Sequence, residues 1–265
     1  YNLDGYFIPK NDEFFGEYIS ENNDKLKFIS NFSGSYGFAL ILKSKNYLFV
    51  DGRYTLQAKI QSGGLFKIIT IPNKFPSDIL KKKKLKIGFD PRLLTKKTLK
   101  LFFSKTNCRF VPINQNLVEK LWDKEKNDNV KKFYTLPKEA VGENYSSKVK
   151  RLVNILRKKN VNLHFVTASE NIAWLLNVRG RDSDFTPIPN SYLAIDSNAK
   201  INLFCDLRKI DFSFKKKFKD IKIINIKNTN LFLSKIKNKK ILVDSFTCSI
   251  YFENILEKNN IILKF

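Results

Sequence analysis

Histidine and cysteine, two side chains that often act in catalysis and metal binding, are sparse in this sequence of 265 residues. Its one histidine, His164, lies inside the apolar run Leu163–Val166, where a structural role is expected. The segment Gly34–Gly37 (Gly-Ser-Tyr-Gly) lacks the Lys-Ser/Thr of a phosphate loop and precedes a strand rather than a helix. No nucleophile elbow is present, and no carboxylates and imidazole have the spacing of a dinuclear metal centre. The residues alone therefore predict a protein without catalytic or metal-binding residues of its own.

Three cysteines, Cys108, Cys205 and Cys248, are far apart in the sequence. An odd and sparse set argues against a disulfide framework and favours a reducing, cytoplasmic compartment. We expect all three to be small buried hydrophobic residues, and a reactive thiol remains an alternative.

Four apolar segments of the first half of the chain recur in the same order in the second half, at an offset that varies by a single residue. In one matched pair, an apolar strand ends in Asp-x-Arg, at Arg53 and again at Arg208. The four matched pairs are Phe38–Leu42 with Tyr192–Ile195, Tyr47–Arg53 with Asn202–Arg208, Phe66–Thr70 with Ile221–Asn225, and Lys86–Asp90 with Lys240–Asp244. The repeat predicts two homologous domains in tandem, 1–128 and 129–265, which meet in the polar run Asp123–Asn129.

Each copy is predicted to be α/β, with a mixed β-sheet flanked by helices. The predicted order is strand, helix, hairpin, strand, helix, strand, helix, with polar hairpin turns at 44–46 and 196–198. Apolar residues at helical spacing predict a helix over Ser146–Lys159, capped by Ser146 or Ser147, and a shorter one over Tyr251–Lys258. A last strand is expected at Ile261–Phe265, and Trp122 and Trp174 are expected in the core.

The net charge of +24 invites a nucleic-acid interpretation. However, the excess is mostly lysine spread along the chain, and arginine, which usually reads the grooves, is scarce. We therefore expect no nucleic-acid partner, and keep a basic nucleic-acid-binding protein as an alternative. No apolar run is long enough to span a bilayer, so no membrane partner is expected. The absence of methionine indicates a piece of a longer chain.

Four stretches together resemble the aminopeptidase P (Xaa-Pro aminopeptidase) family, whose members remove an N-terminal residue that precedes proline. Phe28–Gly37 resembles the family's FxSGFxGSAG stretch, and Asp51–Ala58 resembles TDGRYxxQA. Leu136–Glu143 is similar to the segment that opens the family's second domain. The run Ile172–Gly180 is similar to the IAWLLNxRG loop, with Asp182, Phe185, Pro187 and Tyr192 following at family spacing. Two departures are Tyr36, where the family has alanine, and Phe14, where it usually has histidine.

The resemblance implies the fold of two creatinase-like N-terminal domains. In the family these precede a pita-bread domain that holds two metal ions, typically manganese. Nothing in this chain corresponds to that domain, so the resemblance implies no cofactor here and two divalent ions, manganese by expectation, in the catalytic domain of a parent protein. The implied function is the non-catalytic N-terminal portion of a metal-dependent Xaa-Pro aminopeptidase. A stand-alone peptide- or protein-binding module without peptidase activity is the alternative.

The resemblance also implies substrate-binding residues. They are Arg53, Arg179, Phe185 and Tyr192, which would contact a peptide with proline in the second position. A guanidinium group offers a planar, permanently charged fork that suits a peptide carbonyl or carboxylate. For Arg53 the simpler alternative is a partner for Asp51 at the surface. Family enzymes are commonly homodimers, so a homodimer is expected, with two-fold symmetry as the default.

Overall fold

The computed structural model describes residues 1–123 and 130–265. It contains two compact units, which we call unit 1 (Tyr1–Glu13 and Ile19–Lys126) and unit 2 (Phe14–Tyr18 and Asn127–Phe265). The boundary predicted between residues 128 and 129 lies outside the described residues and stays a prediction.

Unit 1 is built on a six-stranded mixed sheet in the spatial order β4-β3-β2-β1-β5-β6. Its strands are β1 (Gly5–Pro9), β2 (Gly37–Leu42), β3 (Asn46–Asp51), β4 (Lys67–Ile71), β5 (Lys86–Phe89) and β6 (Arg109–Pro112). Its helices are α1 (Lys25–Ser30), α2 (Thr55–Ser62), α3 (Pro76–Leu80) and α4 (Lys96–Phe103). β1, β2 and β3 pair antiparallel, whereas β4, β5 and β6 each join the sheet in parallel.

Unit 2 repeats this arrangement, in the order β12-β11-β10-β8-β13-β14. The sheet consists of β8 (Leu163–Val166), β10 (Tyr192–Asp196), β11 (Ile201–Cys205), β12 (Ile221–Asn225), β13 (Lys240–Val243) and β14 (Ile261–Lys264). A separate two-stranded ribbon pairs β7 (Tyr134–Thr135) with β9 (Val178–Arg179). The helices are α5 (Tyr145–Lys158), α6 (Ser169–Leu176), α7 (Phe212–Lys217), α8 (Thr229–Ser234) and α9 (Ile250–Glu257).

Both faces of each sheet are buried, because side chains on a strand alternate between its faces. In unit 1, Tyr6 and Ile8 join a cluster with Leu26 of α1. Phe7, between them, packs on the opposite face against Phe103 of α4, with ring centroids 5.0 Å apart. Burial on both faces explains why these strands are almost continuously apolar.

The predicted fold class is confirmed: two α/β units, each with a mixed sheet flanked by helices. All four matched pairs of segments fall on equivalent strands, and both predicted hairpins are present. The predicted element order was incomplete. A helix follows each hairpin, α2 in unit 1 and α7 in unit 2, and unit 1 ends in a strand, β6, that was not predicted.

Two helix boundaries also differ from the prediction. α5 begins at Tyr145, and its cap is Asn144, whose Oδ1 accepts a hydrogen bond from Ser147 N at 2.8 Å. Neither Ser146 nor Ser147 is the cap, because an amide side chain one residue before the helix satisfies the free N–H. α9 spans Ile250–Glu257 rather than Tyr251–Lys258, and Ser249 caps it.

Candidate functional site

In unit 1, the two motif stretches around residues 28–37 and 51–58 lie side by side. Ser35 Oγ and Tyr54 Oη are 2.9 Å apart, and the Phe32 ring meets the Tyr54 ring edge-on at 5.8 Å. Ser33 Oγ accepts hydrogen bonds from the side-chain amides of Gln57 and Gln61, at 3.0 and 2.9 Å. Residues that are distant in sequence therefore form one polar surface. We call this surface, which consists of Ser33, Ser35, Arg53, Tyr54 and Gln57, the Arg53 site.

Glycine lets the first motif approach this closely. A Cβ on Gly34 would lie 2.3 Å from the Phe32 ring and 3.0 Å from Tyr54. A Cβ on Gly37 would lie 2.8 Å from the Phe49 carbonyl oxygen of the neighbouring strand. Phe32 is fully buried, so it has no free volume into which it could move.

Arg53 follows β3 in a short 3-10 helix, Gly52–Tyr54. Asp51 Oδ1 accepts hydrogen bonds from Arg53 N and from Arg53 Nε, both at 2.9 Å. These hydrogen bonds from Arg53 hold the pKa of the Asp51 carboxyl below its ordinary value. The Arg53 side chain is 71% exposed, and its guanidinium carbon lies 5.3 Å from the centre of the Tyr54 ring.

Asp51 therefore anchors the inner edge of the guanidinium through Nε. In the described part of the chain no hydrogen bond engages the two terminal nitrogens of Arg53. A planar pair of N–H groups that faces solvent can receive a carbonyl or carboxylate oxygen. Arg53 therefore pairs with Asp51, as the simpler alternative predicted, while its terminal nitrogens stay available. Its role in substrate binding stays a prediction.

Tyr36 lies close enough to Asp51, the partner of this arginine, for the aspartate charge to act on its phenol. Its side chain is 46% exposed. Partial burial, together with the negative charge of Asp51, raises the pKa of the Tyr36 phenol above its usual value. The bulky residue that departs from the family pattern is thus a half-covered aromatic surface at the edge of the Arg53 site.

The other three predicted site residues belong to unit 2, and their side chains differ in how far they are exposed to solvent. Arg179, in β9, is half-buried, and its Nη1 donates to the carbonyl oxygens of Ala173 and Val178, both at 3.0 Å. Its guanidinium therefore binds one backbone carbonyl of α6 and one of β9. Its role in substrate binding stays a prediction.

Phe185 and Tyr192 each contact an aromatic residue of the segment Phe14–Tyr18. Phe185 is 75% exposed and packs on Tyr18, with ring centroids 4.9 Å apart. Tyr192 is only 2% exposed and stacks on Phe14 at 5.2 Å. Phe14, which stands where the family usually has histidine, thus fills an apolar position. Roles for Phe185 and Tyr192 in substrate binding remain predictions.

The expectation that Trp174 lies in the core is wrong, because its side chain is 56% exposed. α6 buries the opposite face, which carries Ile172, Leu175 and Leu176. The buried Lys148 ammonium lies 4.4 Å from the centre of the Trp174 ring and donates to Asn177 Oδ1 at 2.6 Å. Sequence reasoning missed this pair, since an apolar run alone does not show which face of a short helix is covered.

The one histidine and the three cysteines are all at least half-buried. His164 is buried, its Nδ1 lies 3.0 Å from the Leu242 carbonyl oxygen, and burial lowers its pKa. Cys205 and Cys248 are buried as predicted, and burial raises the pKa of the Cys205 thiol to about 12. The expectation of burial is wrong for Cys108, which is only half-buried, near the edge of unit 1, and donates to the Lys83 carbonyl oxygen at 3.4 Å.

Comparison with known proteins identifies the family. A family model described as the creatinase/prolidase N-terminal domain matches residues 124–264, which is more than half of the chain. The chain belongs to this family. A second model of the same description matches residues 2–121, so this creatinase/prolidase-type chain contains two such domains.

The relatives are Xaa-Pro aminopeptidases. The probable Xaa-Pro aminopeptidase P of Coprinopsis cinerea is 30% identical over 221 residues, which cover 79% of this chain and 35% of the relative. The Xaa-Pro aminopeptidase ApepP of Drosophila melanogaster is 32% identical over 224 residues, covering 80% and 36%. The chain therefore spans about a third of the length of these relatives.

The crystal structure of an X-prolyl aminopeptidase from Caenorhabditis elegans has the same fold. The TM-score is 0.89 at 26% identity, over 98% of this chain and 45% of that one. That protein is described as a cytosolic enzyme with a di-nuclear active site. Within residues 1–123 and 130–265 of the present chain, no group of three or more His, Cys, Asp or Glu side chains is placed to hold a metal ion. The described residues thus do not fit a dinuclear centre. No helix among them is both long and apolar enough to cross a bilayer.

Proposed function

We propose that this chain is the non-catalytic N-terminal portion of a metal-dependent Xaa-Pro aminopeptidase, and that it helps to bind the peptide substrate. The observation that carries the proposal is the match of 98% of the chain to less than half of the C. elegans enzyme. The two metal ions, by our expectation manganese, would belong to the catalytic portion of the parent protein. That metal would activate water and polarise the scissile carbonyl.

The part played by this chain would be binding and orientation. Arg53 would donate from its terminal nitrogens to a carbonyl or carboxylate oxygen of the peptide. The Asp51 contact to Nε fixes the plane of the guanidinium, so less conformational entropy is lost when a ligand binds. Arg179, Phe185 and Tyr192 are kept as further candidates from the family resemblance. Of these, Phe185 offers the most accessible surface.

We further propose a cytoplasmic location and a homodimer. Free cysteines and a relative described as cytosolic support the location. Self-association must overcome the repulsion of a net charge of +24. We also keep 1–128 and 129–265 as the proposed domain limits. In support, the two family models meet between residues 121 and 124.

The test is an assay of Xaa-Pro cleavage with added Mn²⁺, with the chain alone and with the chain joined to a catalytic portion. We expect no turnover by the chain alone and turnover by the joined protein. The catalytic portion assayed by itself is the control, and it should be slower because it lacks the Arg53 site. Robust cleavage by the 265-residue chain alone would refute the proposal.

A further inference from the structure

A loop of unit 2, residues 180–190, is held rigidly at both ends. At its start, Gly180 N donates to the Pro187 carbonyl oxygen at 3.2 Å, and a Cβ on Gly180 would lie 2.6 Å from the Ile188 carbonyl oxygen. Asp182 accepts a hydrogen bond from Asn190 N at 2.8 Å and forms an ion pair with Lys209, in which both side chains are largely buried. The loop is therefore tied down at both ends by backbone hydrogen bonds and a largely buried ion pair.

This rigid loop surrounds a cavity of about 300 Å³ that Lys131, Arg181, Ser183 and Phe185 help to line. We call it the Phe185 pocket. A volume near 300 Å³ is at the small end of ligand sites. It would accommodate the end of a peptide rather than a whole oligopeptide.

The pocket offers donors for an anion. Its lining has two cations, Lys131 and Arg181, and one acid, Asp184. Among the described residues no carboxylate forms an ion pair with Arg181, whose guanidinium carbon lies 5.6 Å from the centre of the Tyr134 ring. The hydroxyl oxygen of Ser183 is buried and has no hydrogen-bond partner in the part of the chain that the structure describes. A buried hydroxyl without a partner is costly, and an acceptor oxygen in the pocket would satisfy it.

An apolar surface stands beside these donors. Phe185 is exposed, and Tyr18 supports its ring from one side. Binding residues are disproportionately found on loops that a scaffold positions. Flat aromatic rings also pack well against the ring of proline, as in the recognition of proline-rich peptides.

We propose that the Phe185 pocket binds the C-terminal carboxylate of a short peptide, with a ring or apolar side chain of the peptide packed on Phe185. Arg181 and Lys131 neutralise the carboxylate, and Ser183 donates its hydroxyl to one carboxylate oxygen. The inference rests on the proposed function. It goes further, since it favours short substrates with a free C-terminus and assigns roles to Arg181 and Ser183.

The test is an NMR titration of the 265-residue chain with the tripeptide Gly-Pro-Gly and with its C-terminal amide. A charge-assisted hydrogen bond to a carboxylate is worth about 1.5–3 kcal/mol, so the amide should bind at least about tenfold more weakly. Shifted backbone signals should include those of residues 181–186. Equal binding of the acid and the amide, or displacement of the peptide by an equal concentration of inorganic phosphate, would overturn the proposal.

Two matched pairs of variants locate the effect. R181Q should weaken binding of the acid about tenfold and leave the amide unchanged, whereas K258Q, the same charge change at an exposed lysine of unit 2, should change neither. F185A should weaken both peptides, whereas F212A, at an equally exposed phenylalanine, should weaken neither. Should R181Q behave like K258Q, the pocket is not the carboxylate site.

The outcome separates this inference from the proposed function. If the joined protein cleaves Xaa-Pro peptides but the chain binds Gly-Pro-Gly and its amide equally, only the proposal for the Phe185 pocket is refuted. Binding as predicted by a chain that confers no activity on any catalytic portion would sink the proposed function alone.

Discussion

Both units have the sequence Asp-x-Arg at the end of a hairpin strand, but the aspartate and the arginine form different hydrogen bonds in the two units. In unit 2, Arg208 Nε lies 3.0 Å from Asp206 Oδ2, and its Nη2 donates to the same oxygen at 2.7 Å. In unit 1, Asp51 binds Arg53 only through Nε and the backbone N–H. Asp206 thus accepts from both Nε and Nη2 of Arg208, whereas Asp51 accepts only from Nε of the Arg53 guanidinium. A repeated scaffold can keep a backbone motif while the aspartate engages more of the guanidinium group in one copy than in the other.

The largest expected effect on stability is at the glycine that brings the two motifs together. G34A would place a methyl group against the buried Phe32 ring, so overpacking should lower the free energy of unfolding by about 2–3 kcal/mol. G64A is the control in the same unit, where a Cβ meets nothing within 4 Å, and it should change stability by less than about 0.5 kcal/mol. Urea denaturation of both variants measures the difference. An unchanged G34A midpoint would show that the motifs do not pack as described.

A smaller effect is expected at the arginines of the 180–190 loop region. R179Q removes one hydrogen bond to a backbone carbonyl of α6 and one to a carbonyl of β9, so it should cost about 1–2 kcal/mol. R181Q, at an exposed neighbour, should cost less than about 0.5 kcal/mol. Thermal or urea unfolding distinguishes them. Loss of peptide affinity by R179Q at full stability would instead support the family-based role of Arg179 in substrate binding.

The smallest expected effect is a different response of the two units to mild acid. Burial lowers the folded-state pKa of His164 in unit 2, so the unfolded chain binds more protons below pH 6.5. The free energy of unfolding of unit 2 is therefore unaffected by His164 above about pH 6.5 and decreases as the pH falls from there toward the folded-state pKa. In unit 1, burial raises the pKa of Asp90, so a fall in pH works in the opposite direction there.

Each unit carries one tryptophan, so the two responses can be read separately. W122F leaves Trp174 as the fluorescent reporter of unit 2, and W174F leaves Trp122 as that of unit 1. Between pH 7 and pH 5 the urea midpoint should fall for unit 2 only, and H164Q should remove the fall. A parallel fall in both units, or a fall that persists in H164Q, would argue against the assignment to His164.

The fold could be predicted well from the sequence because each repeated segment corresponds to a complete strand. Apolar runs buried on both faces identified the matched segments, and turn formers placed the hairpins. It did not predict that Phe14–Tyr18 packs within unit 2, because that contact is made by aromatic residues far from their partners in sequence.

The candidate site was predicted in part. The Asp-x-Arg pattern placed Arg53 beside Asp51, but which guanidinium nitrogens remain available depends on side-chain geometry. Arg181 and Ser183 carry no sequence signal of their own, since their role depends on how the loop closes at Gly180. Trp174 lies on the uncovered face of an apolar helix, which spacing over eight residues does not reveal.

The measurement that tests the central claim most directly is the effect of R53Q and R208Q on kcat/KM for an Xaa-Pro peptide, with the chain joined to a catalytic portion. Loss of a charge-assisted hydrogen bond predicts a fall of about ten- to a hundredfold for R53Q and less than about threefold for R208Q. Unfolding of both variants at the same urea concentration shows that the scaffold is intact. Equal losses in the two variants, or no loss in R53Q, would contradict the claim that only the first copy presents its arginine to substrate.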